Sequence, residues 1–256
     1  MSEPIMSLGT VTSTMDEARR RLLDGTGRPP FWVLAERQTA GRGRQGRAWQ
    51  SPPGNLYATG VFATRRPLAE LPSLALVAGL AVAETAGAML CRPERLALKW
   101  PNDVLVADRK LAGILCESER TGAGTLVLVG IGVNLAEAPA GVELPATSLA
   151  GEGIAPPSPA DFLDSLAARF ASLRAVWEEE GFAALKPRYE RMMWARSRTV
   201  AVVDETADGA RLAGRLAGID ADGALLLETE DGLRRVVSGR LRPVEDAPAA
   251  GAPDEG

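Results

Sequence analysis

Along the first two-thirds of the chain, apolar positions come mostly in short runs broken by turn residues. FWVLAERQ (31–38) and NLYATGVFAT (55–64) have the aromatic and β-branched content of strands. SLALVAGLAVAETAGAML (73–90) is too long and too rich in Ala and Leu for a strand, and predicts a buried helix. RLALKW is a strand stopped by Pro101, and VLVA and LAGILCES are two more joined by the polar turn Asp108-Arg109-Lys110. TLVLVGIGVNL is a strongly apolar strand. Ser13 and Thr14 stand three positions before Asp16 and Glu17, a capping-box arrangement that predicts a short helix starting near Ser13. Ser158 and Pro159 open a helical stretch through Gly181, and FAALKPRYERMMW continues it with an interruption at Pro187. Helices segregate from strands, which predicts an α+β fold whose sheet is built largely from hairpins.

Past residue 197 the pattern changes. Asp208-Gly209, Asp222-Gly223 and Asp231-Gly232 punctuate TVAVVD, RLAGRLAGID, ALLLE and LRRVVSG, the signature of a small all-β module with an SH3-like shape. The expected organisation is a first domain over 1–196, the small module over 197–245, and a disordered Pro/Ala/Gly/acid-rich tail over 246–256.

Composition narrows the chemistry. With no histidine among 256 residues, Ser-His, Cys-His and His-metal sites are excluded. With two cysteines, Cys91 and Cys116, both expected as buried reduced thiols, oxygen-ligated ions such as Mg²⁺ are the metals to consider. The net charge of −4 argues against a general nucleic-acid binder. No apolar run approaches the ~20 residues of a membrane helix and no signal peptide is evident, so a cytoplasmic location without a membrane is expected. Of 29 basic residues three are lysine, Lys99, Lys110 and Lys186, so a lysine here asks for a reason. An ammonium reaches one oxygen in a tight site, whereas Arg offers a planar fork.

The positive charge is local. Gly41 to Arg47 holds Arg42, Arg44 and Arg47 among Gly41, Gly43 and Gly46. The spacing is G-x-G-x-x-G, but the dinucleotide fingerprint requires a helix opening on the glycines and an acid about 20 residues on. Two prolines and a glycine follow instead, and Arg65 and Arg66 stand near the acidic position. RNA binding expects repeated RG units in a basic context, and this loop is single. A solvated charge loop would leave the glycines without a cause. Glycines that let backbone close around a ligand, with guanidiniums aimed at it, suit phosphate or carboxylate.

Other segments carry a bland reading beside the chemical one. KWPNDV (99–104) could be a proline turn whose Asn102 and Asp103 bond their own backbone, yet Lys99 and Lys110 flank the same hairpin region and could bring two ammoniums to one end of the sheet. Gly130 and Gly132 in GIGVN admit a bulge or a close approach to backbone, and Asn134 brings an amide. Ser13 and Thr14 are helix caps first, and Trp49 is either core or a stacking platform.

Together, TSTMDEA (12–18), QTAGRGRQGRAW (38–49), KWPNDVL (99–105), RKLAGIL (109–115), GIGVN (130–134) and GIDADGALLL (218–227) resemble the biotin protein ligases, in that family's order from Val11 to about Pro243. The resemblance implies a catalytic domain with a mixed sheet related to class II synthetases, followed by the SH3-like module. It implies two steps, formation of biotinyl-5′-AMP from biotin and MgATP, then transfer to a lysine of a biotin carboxyl carrier domain. Carried over by position, Ser13, Thr14 and Gln38 resemble the residues holding the biotin ureido ring, with Met15, Gly41 and Gly113 in the same pocket and the backbone of Arg42 and Gly43 lining it. Arg44 and Lys110 resemble the groups at the carboxylate and the adenylate phosphate. Arg47 and Lys99 are expected at the ATP phosphates, Trp49 over the adenine and Asn134 near it. Asn102 and Asp103 are expected at Mg²⁺-ATP or at proton transfer from the incoming lysine, which makes Arg44, Lys99, Asp103 and Lys110 the expected catalytic set. Two departures stand out. Met15 occupies a position where many members have Asn, and the motifs begin by Ser13, so no operator-binding domain is expected before them and DNA is not expected as a partner. Rival readings are a lipoate or octanoate ligase and an adenylate-binding regulator, and homodimerisation through the sheet is left open.

Overall fold

The computed structural model describes residues 3–122, 124–142, 144–203 and 211–244. Seven strands form one mixed sheet in the order β1-β2-β3-β7-β6-β5-β4: β1 (Ile5–Val11), β2 (Phe31–Gln38), β3 (Leu56–Thr64), β4 (Leu96–Lys99), β5 (Asp103–Val106), β6 (Arg109–Thr121) and β7 (Gly124–Val133). Neighbours run antiparallel except β1 and β2, which are parallel with Ile5 opposite Trp32. Parallel neighbours require a crossover, and α1 (Thr14–Leu23) supplies it. β1 is absent from the expected elements. Its sequence IMSLGTV lies at the sheet edge, where most of its residues stay partly or fully exposed and no clean alternation is imposed.

α1 covers one face of the sheet over a small cluster of Met15, Ala18, Phe31, Val33, Val61 and Leu128. The other face carries the main core under α2 (Ser73–Gly87), α3 (Pro159–Glu180) and α4 (Phe182–Arg191). Trp32, Phe62 and Phe170 meet there with ring centroids 5.3–6.0 Å apart. Residues 68–87, a short 3₁₀ turn followed by α2, are long and apolar enough to cross a membrane by length and composition, which corrects the expectation that no run approaches that size. The physical reason is burial on all sides: α2 packs on the sheet and against α3, so nearly every residue from Ser73 to Ala86 is interior.

The expected capping box does not form. Ser13 caps α1 by accepting from the Met15 N–H at 3.2 Å, while Asp16 turns to Arg42 and Glu17 to Arg20 and Arg21. Cys91 is exposed in the loop after α2 rather than buried. Cys116 is partly buried in the sheet, where desolvation pushes its thiol up to about 12.

A second, antiparallel sheet contains β8 (Thr199–Val203), β9 (Arg211–Ile219), β10 (Leu225–Thr229), β11 (Gly232–Val236) and β12 (Arg240–Pro243), in the order β11-β10-β9-β8-β12. Gly223 and Gly232 take the positive φ (88° and 101°) that their Asp-Gly turns need. The Asp208-Gly209 turn and the 246–256 tail lie outside the described residues. Hydrogen bonds with the rest of the chain hold this sheet in place. The buried Trp100 indole donates to the Gly223 carbonyl at 3.0 Å, and Glu190 accepts from the Ile219 N–H at 3.2 Å.

Candidate active site

On the α1 face of the large sheet the side chains thin out. Gly113 pairs with Gly132 and Leu115 with Gly130 across β6 and β7, and the two-residue period puts these four positions on one face. Three of them lack a side chain, so the floor there is bare backbone. The close neighbours are specific: a Cβ on Gly132 would stand 2.5 Å from the Trp49 ring, one on Gly113 2.9 Å from it, and one on Gly130 2.9 Å from Met15 Cε. The glycines of GIGVN therefore answer to close approach rather than to a bulge.

The roof is the glycine-arginine loop. Gly43 N–H donates to Arg47 O at 2.7 Å and Trp49 N–H to Gly41 O at 2.8 Å, folding 41–49 into a miniature hairpin with a 3₁₀ turn at Arg44–Gly46. Gln45 and Gly46 hold positive φ of 57° and 70° at its tip. Gly41 lies beneath the hairpin, where a Cβ would come within 2.7 Å of Trp49 O. It supports the cavity without lining it.

Between floor and roof is a cavity of about 360 Å³. Ser13, Thr14, Met15, Gln38, Arg42, Gly43, Arg44, Arg47, Trp49, Lys99, Asn102, Asp103, Lys110, Gly113 and Asn134 all line it. Residues from five separate segments thus converge, with Gly41 outside the lining. One end is a hydrogen-bonded row: Thr59 Oγ1 donates to Thr14 Oγ1 at 2.9 Å, Thr14 donates through N–H and Oγ1 to Gln38 Oε1 at 2.9 and 3.1 Å, and Gln38 Nε2 donates to Ser51 at 3.2 Å. Met15 and Leu115 place apolar surface beside it.

The other end is cationic. Arg44, Arg47, Lys99, Lys110, Arg240 and Arg242 line the cavity together with Arg42, whose charge is met by Asp16, and among the described residues Asp103 is the one carboxylate lining it. Such an imbalance suits a polyanion. Lys110 Nζ lies 2.6 Å from Asp103 Oδ1 and 5.3 Å from the Trp49 ring centroid. Lys99 is buried, 5.0 Å from the Trp194 ring, and Arg44 donates to Asn102 Oδ1 at 3.4 Å and to Gly239 O at 3.3 Å. The amide of Asn134 is occupied, donating to Lys110 O and Thr147 O at 3.3 and 3.0 Å. Arg42 grips Asp16 with two nitrogens at 2.9 and 2.5 Å, and this hydrogen bonding holds the Asp16 carboxyl below the usual carboxylate range.

Arg240 and Arg242 of β12 are absent from the expected site. Nothing local distinguishes RLRP from any exposed strand, and only the docking of the second sheet brings it to the cavity. Trp100, given no role of its own from sequence alone, takes part in that docking.

Comparison with known proteins agrees with this arrangement. Residues 8–134 match the Biotin/lipoate A/B protein ligase family, and 203–240 match the Biotin protein ligase C terminal domain. The biotin--[acetyl-CoA-carboxylase] ligase of Paracoccus denitrificans is 41% identical over 80% of this chain and 87% of its own length. The bifunctional ligase/repressor BirA of Escherichia coli is 35% identical over 87% of this chain and 70% of its own length. Among solved structures, the Aquifex aeolicus biotin protein ligase in complex with biotin and ATP superposes with a TM-score of 0.77 at 30% identity, covering 93% of this chain and 97% of that one. The Leishmania major biotin protein ligase in complex with biotinyl-5-AMP gives 0.67 at 28% identity over 92% and 99%. With the site's segments in order and relatives matched over most of their length, this chain belongs to the biotin protein ligase family.

Proposed function

We propose that the protein is a biotin protein ligase: it activates biotin with ATP and transfers it to a lysine of the biotin carboxyl carrier domain of a biotin-dependent carboxylase, in the cytoplasm where ATP and carrier meet. The observation that carries this is the polarity of one cavity, a hydrogen-bonding row at one end and a cationic end at the other. In the first step a carboxylate oxygen of biotin attacks the α-phosphorus of ATP, the bond to the β-phosphate breaks, and pyrophosphate leaves. Two anions must be brought together, so the main task is neutralisation and alignment. Arg44 and Lys110 serve the carboxylate and α-phosphate, and Arg47 and Lys99 the departing phosphates. Arg240 and Arg242 line the cationic end with them. Ser13, Thr14 and Gln38 hold the ureido ring, for which the Thr14–Gln38 row offers both donors and acceptors. Trp49 covers the nucleotide, with Asn134 nearby.

In the second step the carrier amine attacks the acyl carbon, the acyl–oxygen bond breaks, AMP leaves, and the amine proton goes to Asp103. That carboxylate is partly exposed and lies next to Lys110, where the acyl group would form. Among the described residues no cluster of three acidic or thiol ligands could hold a metal. Asp103, the one carboxylate lining the cavity among the described residues, fits a Mg²⁺ that arrives with the triphosphate, since such ions take one or two protein carboxylates and rely on phosphates and water. When bound, the ion would supply further charge neutralisation. We read 1–196 as the catalytic domain and 197–245 as an SH3-like module completing its cationic end.

The test is pyrophosphate release from MgATP with biotin, lipoate, octanoate or no acid, followed by transfer to a carrier domain. Release with biotin alone, and label on the carrier lysine, is the expected outcome. Release with another acid would change the substrate, and biotin binding without release would leave a sensor rather than an enzyme.

A further inference from the structure

The glycine-arginine loop has to be held closed. Glycine loses more conformational freedom on ordering than any other residue, and three glycines in seven positions make this segment costly to fix. Its internal bonds, Gly43 to Arg47 and Trp49 to Gly41, shape the hairpin but do not anchor it. The described anchors are the Trp49 ring on the Gly113–Gly132 floor, Arg44 at Asn102 and Gly239, and the two-toothed grip of Arg42 on Asp16.

The last of these joins two walls of the cavity. Asp16 lies in the first turn of α1, directly after Ser13, Thr14 and Met15, and Arg42 is 26 residues away at the base of the roof. In that turn an acid ordinarily serves the helix N-terminus, or here a capping box. Instead both Asp16 oxygens point at the Arg42 guanidinium in the bidentate geometry that fixes position as well as charge. Competition from the same helix is small. Arg19 reaches Asp16 only at 3.7 Å and is engaged by Glu117 and Glu119.

We propose that Asp16 is a positioning residue: through Arg42 it clasps the arginine loop to the ligand-facing end of α1, so that the biotin-contacting residues and the roof close as one unit. The Arg42 guanidinium is then occupied by the clasp, and its contribution to the ligand comes from backbone. The inference rests on the ligase reading for its kinetic consequences and stands apart from it for its structural one. Opening the clasp should loosen the roof, weaken biotin retention and shorten the residence of biotinyl-AMP, while a bound, aligned substrate pair still reacts.

Two measurements on the full chain decide this. Trypsin cleaves after Arg42, Arg44 and Arg47 when the loop opens, and needs no substrate. Asp16→Asn should be nicked there faster than wild type while its melting temperature holds. In pyrophosphate release, the biotin KM of Asp16→Asn should rise about fivefold, the upper range for a solvent-accessible ion pair, with kcat little changed and faster dissociation of preformed biotinyl-AMP. The charge exchange Asp16→Arg with Arg42→Asp should recover much of both effects, which a mere helix-capping role would not. Wild-type nicking and wild-type KM in Asp16→Asn, or an exchange variant no better than the single ones, would overturn the clasp. A wild-type enzyme that releases no pyrophosphate with biotin would sink the ligase reading alone, since nicking would still report on the loop.

Discussion

On the proposed mechanism, Lys110 and Asp103 form the pair on which transfer turns. At 2.6 Å the ammonium keeps its partner close and is itself kept where a phosphate oxygen would meet it. In the proposed transfer step an adenylate gives Lys110 an anion to serve, which would release Asp103 toward the incoming amine. Asp103→Asn is therefore expected to lower the rate of transfer from preformed biotinyl-AMP by about 10²- to 10⁴-fold, the usual worth of a positioned base, with a smaller loss in pyrophosphate release. Slowed adenylate formation with unchanged transfer would show that Asp103 serves the first step instead. At this scale much was legible. The scarcity of lysine singled out Lys99 and Lys110, and both line the cavity. The partners were not: that Asp16 holds Arg42, and that the amide of Asn134 is spent on Lys110 O and Thr147 O, depends on contacts across 26 and 24 residues and on a loop no motif marks.

Among elements, β6 and β7 do the most to make the site. Their outward residues vanish at Gly113, Gly130 and Gly132, and the Trp49 ring settles into the gap. Valine at position 132 suits a strand by propensity, yet its Cβ would meet the indole at 2.5 Å. Gly132→Val should expel Trp49 from its seat, seen as a red-shifted and more quenchable tryptophan emission, and should weaken nucleotide binding on the order of tenfold, in line with ordinary overpacking. Unchanged emission and affinity would mean that the trough has no part in seating the roof. The strands themselves were readable because interior strands carry dense apolar runs. β2 spans Phe31–Gln38, the stretch its pattern predicts. β1 escaped because an edge strand with one neighbour has weak demands on its sequence, and the capping box was misread because Asp16 had a stronger partner than the helix end.

For the molecule as a whole, the second sheet matters through its aim. Trp100, Glu190 and Arg44 hydrogen-bond to it, and β12 presents Arg240 and Arg242 to the cavity. Trp100→Phe keeps an aromatic ring in place but removes one buried hydrogen bond, about 1 kcal/mol, and part of the indole's packing. The expected result is an ATP KM raised about fivefold with the biotin KM near wild type; equal change in both, or in neither, would separate the module's docking from nucleotide binding. None of this was visible in RLRP or in KWPND taken alone, because the distance between them closes only when two sheets pack. Four of the module's strands, β8 to β11, by contrast, coincide with the segments that the Asp-Gly turns set off.

The chain's preference for arginine has a chemical consequence on the proposed pathway. A mixed anhydride acylates any unprotonated amine within reach, including those of the protein that made it. Lys99 is buried, Lys110 is ion-paired within the cavity, and Lys186, about a third exposed, is the one lysine left toward solvent, while arginine stays protonated and takes no acyl group. A surface written in guanidinium lets this enzyme handle a lysine-seeking reagent while offering it almost nothing of its own to label.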